Sequence, residues 1–185
     1  SVLTEPDRFG GHMDHLRAVA ESVNLPVMRK DFLVDAVQVH QAREAGASGV
    51  LLILAMLDDA ALQDCLDAAR QLEMFVLLEA FDVDELTRAS AYLGPDTLLG
   101  LNCRDLRTLQ VQPSRLQAMR GHFPPGAITV AESGTSTPLD AAELSACGYD
   151  MSLVGTALMK SKDPAQATAE LVAAGRQKEV RCVSV

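Results

Sequence analysis

Polar residues end several apolar runs of this chain. In chain order these closing residues are Lys30, Glu79, Asn102, Glu132 and the pair Gly155-Thr156. A lysine and a glutamate can move protons in opposite senses on a bound molecule, one as a general acid and the other as a base. An amide can hold a hydroxyl or a carbonyl of the same molecule. These residue types indicate acid–base chemistry on a small polar substrate, provided that the fold gathers them.

Lys30 and Glu79 are the two residues for which acid–base chemistry is predicted most specifically. A lysine partly removed from water can serve as a general acid, and a neighbouring glutamate can carry protons the other way. The same two residue types also make salt bridges that do no chemistry, and residue type alone does not decide between these interpretations. Alternation along a strand predicts that Leu77 shares the face of Glu79. It also predicts that Cys103 points away from the face of Asn102 and packs against the outer layer.

Two short loops contain small residues that suit a bound anion. Glu132 is followed by Ser133 and Gly134, and the next strand-like run ends in Gly155-Thr156. Small residues allow backbone N–H groups to approach an anion. In (β/α) barrels, the loops that follow the last two strands frequently bind phosphate. Ordinary tight turns are the alternative, but two such loops on adjacent strands favour a phosphate site.

Arg104 lies just past the strand that ends at Asn102. Its guanidinium can bind a substrate carboxylate through two parallel hydrogen bonds. Taken alone, a loop arginine paired with the neighbouring Asp105 is the more common arrangement.

Neither a metal site nor a disulfide is predicted. His12 and His15 lie three residues apart, but no cysteine or carboxylate cluster completes a set of ligands, which favours a solvated helix face. The four cysteines lie far apart without a CxxC pair. They are expected to be reduced thiols in a cytoplasmic protein.

The charge of the chain limits its partners. A net charge of −9, from 16 basic and 25 acidic residues, argues against nucleic acid or an anionic membrane surface. A small anionic substrate can still be held by a few basic residues and by helix N-termini. No signal peptide is recognised, and no apolar run approaches the roughly 20 residues of a membrane-spanning helix.

Strands that alternate with helices must position these residues. The predicted strands are Ser1–Leu3, Leu25–Arg29, Gly49–Ala55, Met74–Glu79, Thr97–Asn102, Ala127–Glu132 and Met151–Gly155. Several are apolar throughout, which is typical of strands buried in a parallel sheet. The repeating strand–helix unit predicts an all-parallel α/β sheet.

Helix ends are marked by their own residues. Helix starts are predicted at Asp58, Asp82, Thr137 and Asp163. Helix ends are predicted just before Gly46, Gly148 and Gly175.

A barrel suits this chain better than a doubly wound sheet. No G-x-G-x-x-G follows the first strand, and a polar group closes nearly every strand, as expected where all strand ends surround one mouth. Residues 1–175 are predicted to form a single domain. Residues 176–185 are predicted to form a tail, more readily disordered than paired along a sheet edge.

Taken together, these residues resemble the indole-3-glycerol-phosphate synthase family. The matching stretches, which run in family order, are Ser1–Glu5, Phe9–Gly11, Pro26–Phe32, Gln38-Val39, Ala45–Ala47, Leu51–Ile53, Leu78-Glu79, Gly100–Leu106, Glu132–Gly134 and Leu153–Met159. The R-K-D-F, N-x-R-D-L and E-S-G segments are specific in combination.

The resemblance implies a TIM (β/α)8 barrel that acts in tryptophan biosynthesis. The family closes the indole ring of 1-(2-carboxyphenylamino)-1-deoxyribulose 5-phosphate with loss of carbon dioxide and water, and it uses no metal or cofactor. By this resemblance Lys30 is the general acid and contacts the substrate carboxylate, and Glu79 takes part in proton transfer during dehydration. The remaining implied site residues are Asn102 and Arg104, which position the substrate, Glu132 and Ser133, which line the mouth, and Gly134, Gly155 and Thr156, which hold the phosphate.

This sequence departs from the family at its beginning. The family has a helical extension, then a first strand with a glutamate and a lysine of the active site, then a loop that contacts phosphate. Only about seven of the eight βα units are recognised here, with the first strand and first helix missing. The alternative to a synthase is therefore an incomplete barrel that binds phosphate ligands or self-associates through open edge strands. A related isomerase of the same pathway is less favoured, because such enzymes use a cysteine and an aspartate at strand ends.

Overall fold

The structure, a computed structural model, describes residues 1–104 and 110–176. Its strands are β1 (Val2–Leu3), β2 (Met28–Lys30), β3 (Gly49–Ile53), β4 (Phe75–Ala80), β5 (Thr97–Asn102), β6 (Ile128–Glu132) and β7 (Met151–Leu153). Its α-helices are α1 (Pro6–Phe9), α2 (Met13–Ser22), α3 (Ala36–Glu44), α4 (Asp59–Gln71), α5 (Val83–Ala89), α6 (Ser114–Met119), α7 (Pro138–Ala146), α8 (Thr156–Lys160) and α9 (Pro164–Arg176). Asp105, Leu106 and the predicted tail from residue 177 lie outside the described residues.

The strands follow one another across the sheet in chain order, from β1 to β7. Every strand pair whose register is described is parallel. A doubly wound sheet reverses its strand order at a switch point, where its ligand binds. This order has no reversal, which confirms the predicted parallel α/β architecture of the (β/α) barrel type.

The predicted strands are present, although several bounds differ. The second strand begins at Met28 instead of Leu25, because Pro26 lacks an N–H group and Leu25 is 71% exposed. The third strand stops at Ile53, where a short 3-10 turn over Leu54–Met56 begins. Asn102 and Glu132 are each the last residue of a strand, as predicted, and Lys30 ends β2 one residue beyond the predicted bound. The predicted ends at Glu79 and Gly155 are wrong, because β4 continues to Ala80 and β7 stops at Leu153.

Most helix signals are confirmed. The side chain of Asp58 accepts a hydrogen bond from the N–H of Ala61 at the start of α4, and Thr137 forms a capping box at the start of α7. Gly46 and Gly148 follow helices with left-handed backbone angles, φ +89° and +93°. The prediction for Gly175 is wrong, because α9 continues through it to Arg176.

The chain divides into two compact bodies. The N-terminal body comprises Ser1–Ala80 and Arg88–Leu99, and the C-terminal body comprises Phe81–Thr87 and the described residues from Gly100 onward. That residues 1–175 form one domain stays a prediction.

Each body buries a largely aliphatic core, as the scarcity of aromatic residues requires. Strands β3 and β4 are buried over nearly their whole length in the N-terminal body. In the C-terminal body, Tyr149 packs edge-on against Phe123 and donates its hydroxyl hydrogen to the carbonyl of Leu116. Over the described parts of the chain, no helix is long and apolar enough to cross a membrane.

Candidate functional site

Lys30 and Glu79 meet at the ends of β2 and β4 in the N-terminal body. The Lys30 Nζ lies 3.1 Å from the Glu79 Oε2. The Lys30 side chain is 24% exposed, whereas that of Glu79 is 1% exposed. The pair therefore places a solvent-accessible ammonium group against a buried carboxylate, an arrangement in which a proton can pass from the lysine to a bound molecule.

The strand register explains this contact. Arg29 pairs with Val50, which puts Lys30 level with Leu51, and Leu51 pairs with Leu77. Glu79 lies two residues beyond Leu77 in β4. That Leu77 and Glu79 share a face stays a prediction from the alternation of the strand.

A buried ion pair that the sequence analysis missed supports the strand end beside Lys30. Arg29 NH2 lies 2.8 Å from Asp31 Oδ2, and these side chains are only 6% and 12% exposed. The Thr4 hydroxyl donates to Asp31 Oδ2 at 2.5 Å and accepts from Arg29 Nε at 3.0 Å. Arg29 also donates to the carbonyl of Gln38 in α3. These contacts join the ends of β1 and β2 to a helix.

The same contacts set the ionisation of Asp31. Burial acts to raise the pKa of this carboxyl group, but hydrogen bonds from Thr4, Arg29 and the N–H of Phe32, with the positive charge of Arg29, outweigh burial and lower the pKa below its ordinary value. Asp31 is therefore a carboxylate over the physiological pH range. Thr4 is not among the residues predicted from the sequence as part of this network. Its position directly after an apolar strand is the sequence signal that could have identified it.

Asn102, Arg104 and Ser133 meet in the C-terminal body. Asn102, 6% exposed at the end of β5, accepts two hydrogen bonds at Oδ1. The Ser133 hydroxyl donates one at 2.9 Å, and the backbone N–H of Arg104 donates the other at 2.9 Å. The predicted proximity of these loops is thus present, whereas a role for the Arg104 guanidinium stays a prediction.

Backbone hydrogen bonds hold the segment around Cys103 against the end of β6. The N–H of Cys103 donates to the carbonyl of Glu132 at 3.1 Å, and its carbonyl accepts from the N–H of Gln112 at 2.9 Å. Cys103 is 1% exposed, and burial raises the pKa of its thiol. Both properties agree with a packing role and disfavour a nucleophile.

The two predicted phosphate loops follow neighbouring strands at the same level. Glu132, 1% exposed, pairs with Leu153 across β6 and β7. Gly134 and Gly155 each lie two residues beyond this pair. The Thr135 and Ser152 hydroxyl groups lie 2.6 Å apart and join the first of these loops to β7. Gly155 and Thr156 are exposed at the start of α8.

Gly134 occupies a position that a side chain does not fit. Its φ is +78°, and a Cβ added there would lie 3.1 Å from the Cys103 Sγ and 3.4 Å from the Pro113 Cγ. We expect Gly134→Ala to lower the free energy of unfolding by about 1–3 kcal/mol, because a left-handed backbone and a close neighbour both oppose the methyl group. Chemical denaturation measures this change.

Gly121→Ala is the matched control for Gly134→Ala. Gly121 belongs to the same body, and an added Cβ there meets nothing within 4 Å. This variant is expected to unfold like the parent chain. Equal stability of the two variants would contradict the packing at Gly134.

The described residues provide no evident metal site. Among them, no group of three or more His, Cys, Asp or Glu side chains is placed to hold an ion. His12 instead caps α2, where its Nδ1 accepts a hydrogen bond from the N–H of Asp14 at 3.2 Å. The described cysteines, Cys65, Cys103 and Cys147, are free thiols.

Comparison with known sequences identifies a family. A family model described as Indole-3-glycerol phosphate synthase matches residues 1–171. The indole-3-glycerol phosphate synthase of Kineococcus radiotolerans is 42% identical over 184 residues, which are 99% of this chain and 66% of that protein. Its counterpart from Verminephrobacter eiseniae is 46% identical over 173 residues, 94% of this chain and 64% of that protein. The chain spans about two thirds of the length of these relatives.

Comparison with solved structures supports the fold. The 3-hexulose-6-phosphate synthase of Salmonella typhimurium superposes with a TM-score of 0.77 over 96% of this chain and 88% of that chain, at 16% identity. Orotidine 5'-phosphate decarboxylase from Pyrococcus horikoshii superposes with a TM-score of 0.70 over 95% and 87%, at 15% identity. These likenesses confirm a fold of the TIM-barrel class.

Proposed function

Because this chain belongs to the indole-3-glycerol phosphate synthase family, we propose that it carries the larger part of the catalytic site of such an enzyme. The proposed reaction converts 1-(2-carboxyphenylamino)-1-deoxyribulose 5-phosphate to indole-3-glycerol phosphate. The ring carbon that bears the carboxyl group attacks the ketone carbon of the sugar. Carbon dioxide then leaves, and loss of water completes the indole ring.

Lys30 is proposed as the general acid of ring closure. The ketone oxygen gains negative charge as the carbon–carbon bond forms, and a proton from the Lys30 ammonium group neutralises it. The 24% exposure of the Lys30 side chain leaves it accessible to a ligand. A positive charge at the same place also suits the carboxylate that the substrate later loses.

Glu79 is proposed to carry protons during dehydration. Loss of water requires removal of one proton and protonation of the departing hydroxyl group. The buried Glu79 carboxylate lies 3.1 Å from the Lys30 Nζ. This distance allows the two groups to exchange a proton between steps.

The substrate-binding roles that the family resemblance implies are proposed for residues of the C-terminal body. Asn102 and Arg104 position the polar groups of the sugar and the carboxylate. Glu132 and Ser133 line the same strand ends. The small residues Gly134, Gly155 and Thr156 are proposed to offer backbone N–H groups to the phosphate.

The contact between Lys30 and Glu79 carries this proposal. Its test is formation of indole-3-glycerol phosphate, measured by chromatography and indole fluorescence, with the purified chain alone and with the unmatched part of the Kineococcus radiotolerans relative added as a separate polypeptide. Product in either arm is the expected result. Absence of product in both arms, from a folded sample, would refute the proposal.

A non-catalytic role is the second candidate, favoured by the exposure of the outermost strands. Leu3 in β1 is 37% exposed and Met151 in β7 is 48% exposed, and strands with unpaired edges can pair with another chain. On this proposal the chain binds phosphate esters without turnover or self-associates. A stable monomer in sedimentation counts against self-association, and a flat calorimetric titration with a sugar phosphate counts against the ligand role.

We also propose a cytoplasmic location. The free thiols of the described cysteines fit a reducing compartment. The net charge of −9 argues against nucleic acid or an anionic membrane as a partner, and neither is proposed.

A further inference from the structure

Thr4 contacts three consecutive residues at the end of β2. Its backbone N–H donates to the carbonyl of Lys30 at 3.1 Å, which continues the parallel pairing of Leu3 with Lys30 by one hydrogen bond. Its hydroxyl group contacts Arg29 on one side of Lys30 and Asp31 on the other. Thr4 is 4% exposed, so these contacts are shielded from water.

The Thr4 hydroxyl closes a ring of three hydrogen bonds. Arg29 has only donors and the Asp31 carboxylate has only acceptors, so the hydroxyl must accept from one and donate to the other. It accepts from Arg29 Nε at 3.0 Å and donates to Asp31 Oδ2 at 2.5 Å, and Arg29 NH2 donates to the same oxygen at 2.8 Å. Removal of this one hydroxyl group opens the ring at two of its three bonds.

The ring and the Lys30 side chain lie on different sides of β2. Successive side chains of a strand point to opposite faces. Arg29 reaches the carbonyl of Gln38 in α3 at 2.9 Å, whereas the Lys30 Nζ lies 3.1 Å from the Glu79 Oε2 at the end of β4. The network therefore holds the main chain of Lys30 from the helix side and leaves the ammonium group to the other face.

Lys30 needs such support because of its place in the strand. It is the last residue of β2, and a strand end lacks the continuing ladder that fixes the backbone further in. A small rotation of the backbone at this residue is amplified along the four methylene groups of the lysine side chain. A misplacement of about 1 Å can cost on the order of 10²-fold in rate.

We propose that Thr4 is a positioning residue that acts through Lys30. Its N–H holds the Lys30 carbonyl, and its hydroxyl group keeps Arg29 and Asp31 in the arrangement that aims the ammonium group. This inference rests on the proposed function for the role of Lys30, and it adds a residue to which neither a substrate contact nor a proton transfer is assigned.

Thr4→Val is the test variant, because valine keeps the shape of threonine and its backbone N–H but lacks the hydroxyl group. It is expected to lower kcat by about 10²-fold, with a much smaller change in KM, since a misplaced proton donor is felt mainly in the transition state. Thr4→Ser restores the hydroxyl group and is expected to restore kcat. Should Thr4→Val fail to fold, Thr4→Cys replaces it, because a thiol donates and accepts only weakly.

Thr129→Val is the matched control for loss of stability. Thr129 is 1% exposed in β6, and its hydroxyl group donates to Asp150 Oδ2 at 2.9 Å. The substitution therefore removes an equally buried hydroxyl group bound to an aspartate, in the other body and away from Lys30. It is expected to lower the melting temperature and to leave kcat at the parental value.

A double-mutant cycle shows whether Thr4 acts through Lys30. Once Lys30→Ala has removed the ammonium group, nothing remains for Thr4 to aim. Thr4→Val is therefore expected to have little further effect on kcat in the Lys30→Ala background. A full additional loss of about 10²-fold in that background would show that Thr4 acts on the reaction by another route.

The lysine content of the chain allows a test without substrate. The chain has four lysines, Lys30, Lys160, Lys162 and Lys178. Labelling with 13Cε-lysine gives four signals, and Lys30→Arg identifies that of Lys30 by its loss. In the ligand-free chain, Thr4→Val is expected to move or broaden the Lys30 signal, and Thr129→Val is expected to leave it in place.

The outcomes separate this inference from the proposed function. A parent chain without turnover, alone or with the complementary segment, contradicts the proposed function, while the ligand-free spectra still decide whether Thr4 positions Lys30. A folded Thr4→Val variant with parental kcat, or with an unchanged Lys30 signal, would overturn the inference.

Discussion

Replacing Lys30 with alanine is expected to lower kcat by about 10²–10⁴-fold, the usual cost of losing a general acid. The effect on KM should be small by comparison, because the proton is transferred only in the transition state. Steady-state kinetics with 1-(2-carboxyphenylamino)-1-deoxyribulose 5-phosphate measures both constants. The assay uses the form of the chain, alone or with the complementary segment, that gives product.

Two further variants make the Lys30 result specific. Lys162→Ala removes a lysine from an exposed position and is expected to behave like the parent chain. Lys30→Arg keeps the positive charge but holds its proton too tightly for ready transfer, so it should lose kcat while retaining affinity for the carboxylate. Parental turnover in Lys30→Ala would refute the general-acid role and favour a salt bridge that only joins β2 to β4.

Asp31→Asn is expected to lower the free energy of unfolding by about 3–5 kcal/mol. The substitution leaves the Arg29 guanidinium buried without its carboxylate, and removal of one member of a buried ion pair has this order of cost. Chemical denaturation at neutral pH measures the change. A double-mutant cycle with Arg29→Met isolates the ion pair, and the double variant should lose less stability than the two single losses added together.

The pH dependence of stability gives Asp31 an independent signature. The pKa of its carboxyl group is lowered in the folded chain from the ordinary value of 3.8. Its stabilising contribution is therefore fully present above the unfolded pKa and is lost as the pH falls through the folded pKa. The stability gap between parent and Asp31→Asn should be constant near neutral pH and should narrow below about pH 4. A gap that is independent of pH down to acid unfolding would contradict this assignment.

Most of the fold could be predicted from the sequence because its signals are local. Capping residues such as Asp58 and Thr137 define helix starts through contacts with residues three or four positions away. Apolar runs identify buried strands, and the motif around Lys30 led to the family that the comparisons confirm. Gly175 shows the limit of such signals, because α9 includes this glycine although local propensity favours a glycine just after a helix end.

The supporting contacts of the site could not be predicted in the same way. The bond from Ser133 to Asn102 joins residues 31 positions apart, and the network of Thr4 with Arg29 and Asp31 spans 27 positions. Alternation along a strand indicates the face of each side chain, but it does not give the distance between loops. The left-handed conformation of Ser133 has no sequence signal comparable to glycine.

The chain-order arrangement of the strands has a consequence for how the protein is made. Each strand adds beside the one synthesised just before it, so every pairing closes a single helix-containing crossover and none has to span several units of the chain. Contacts of low sequence separation favour rapid folding. Every strand therefore has its preceding neighbour already synthesised when it leaves the ribosome, and no pairing within this order waits for a distant later segment.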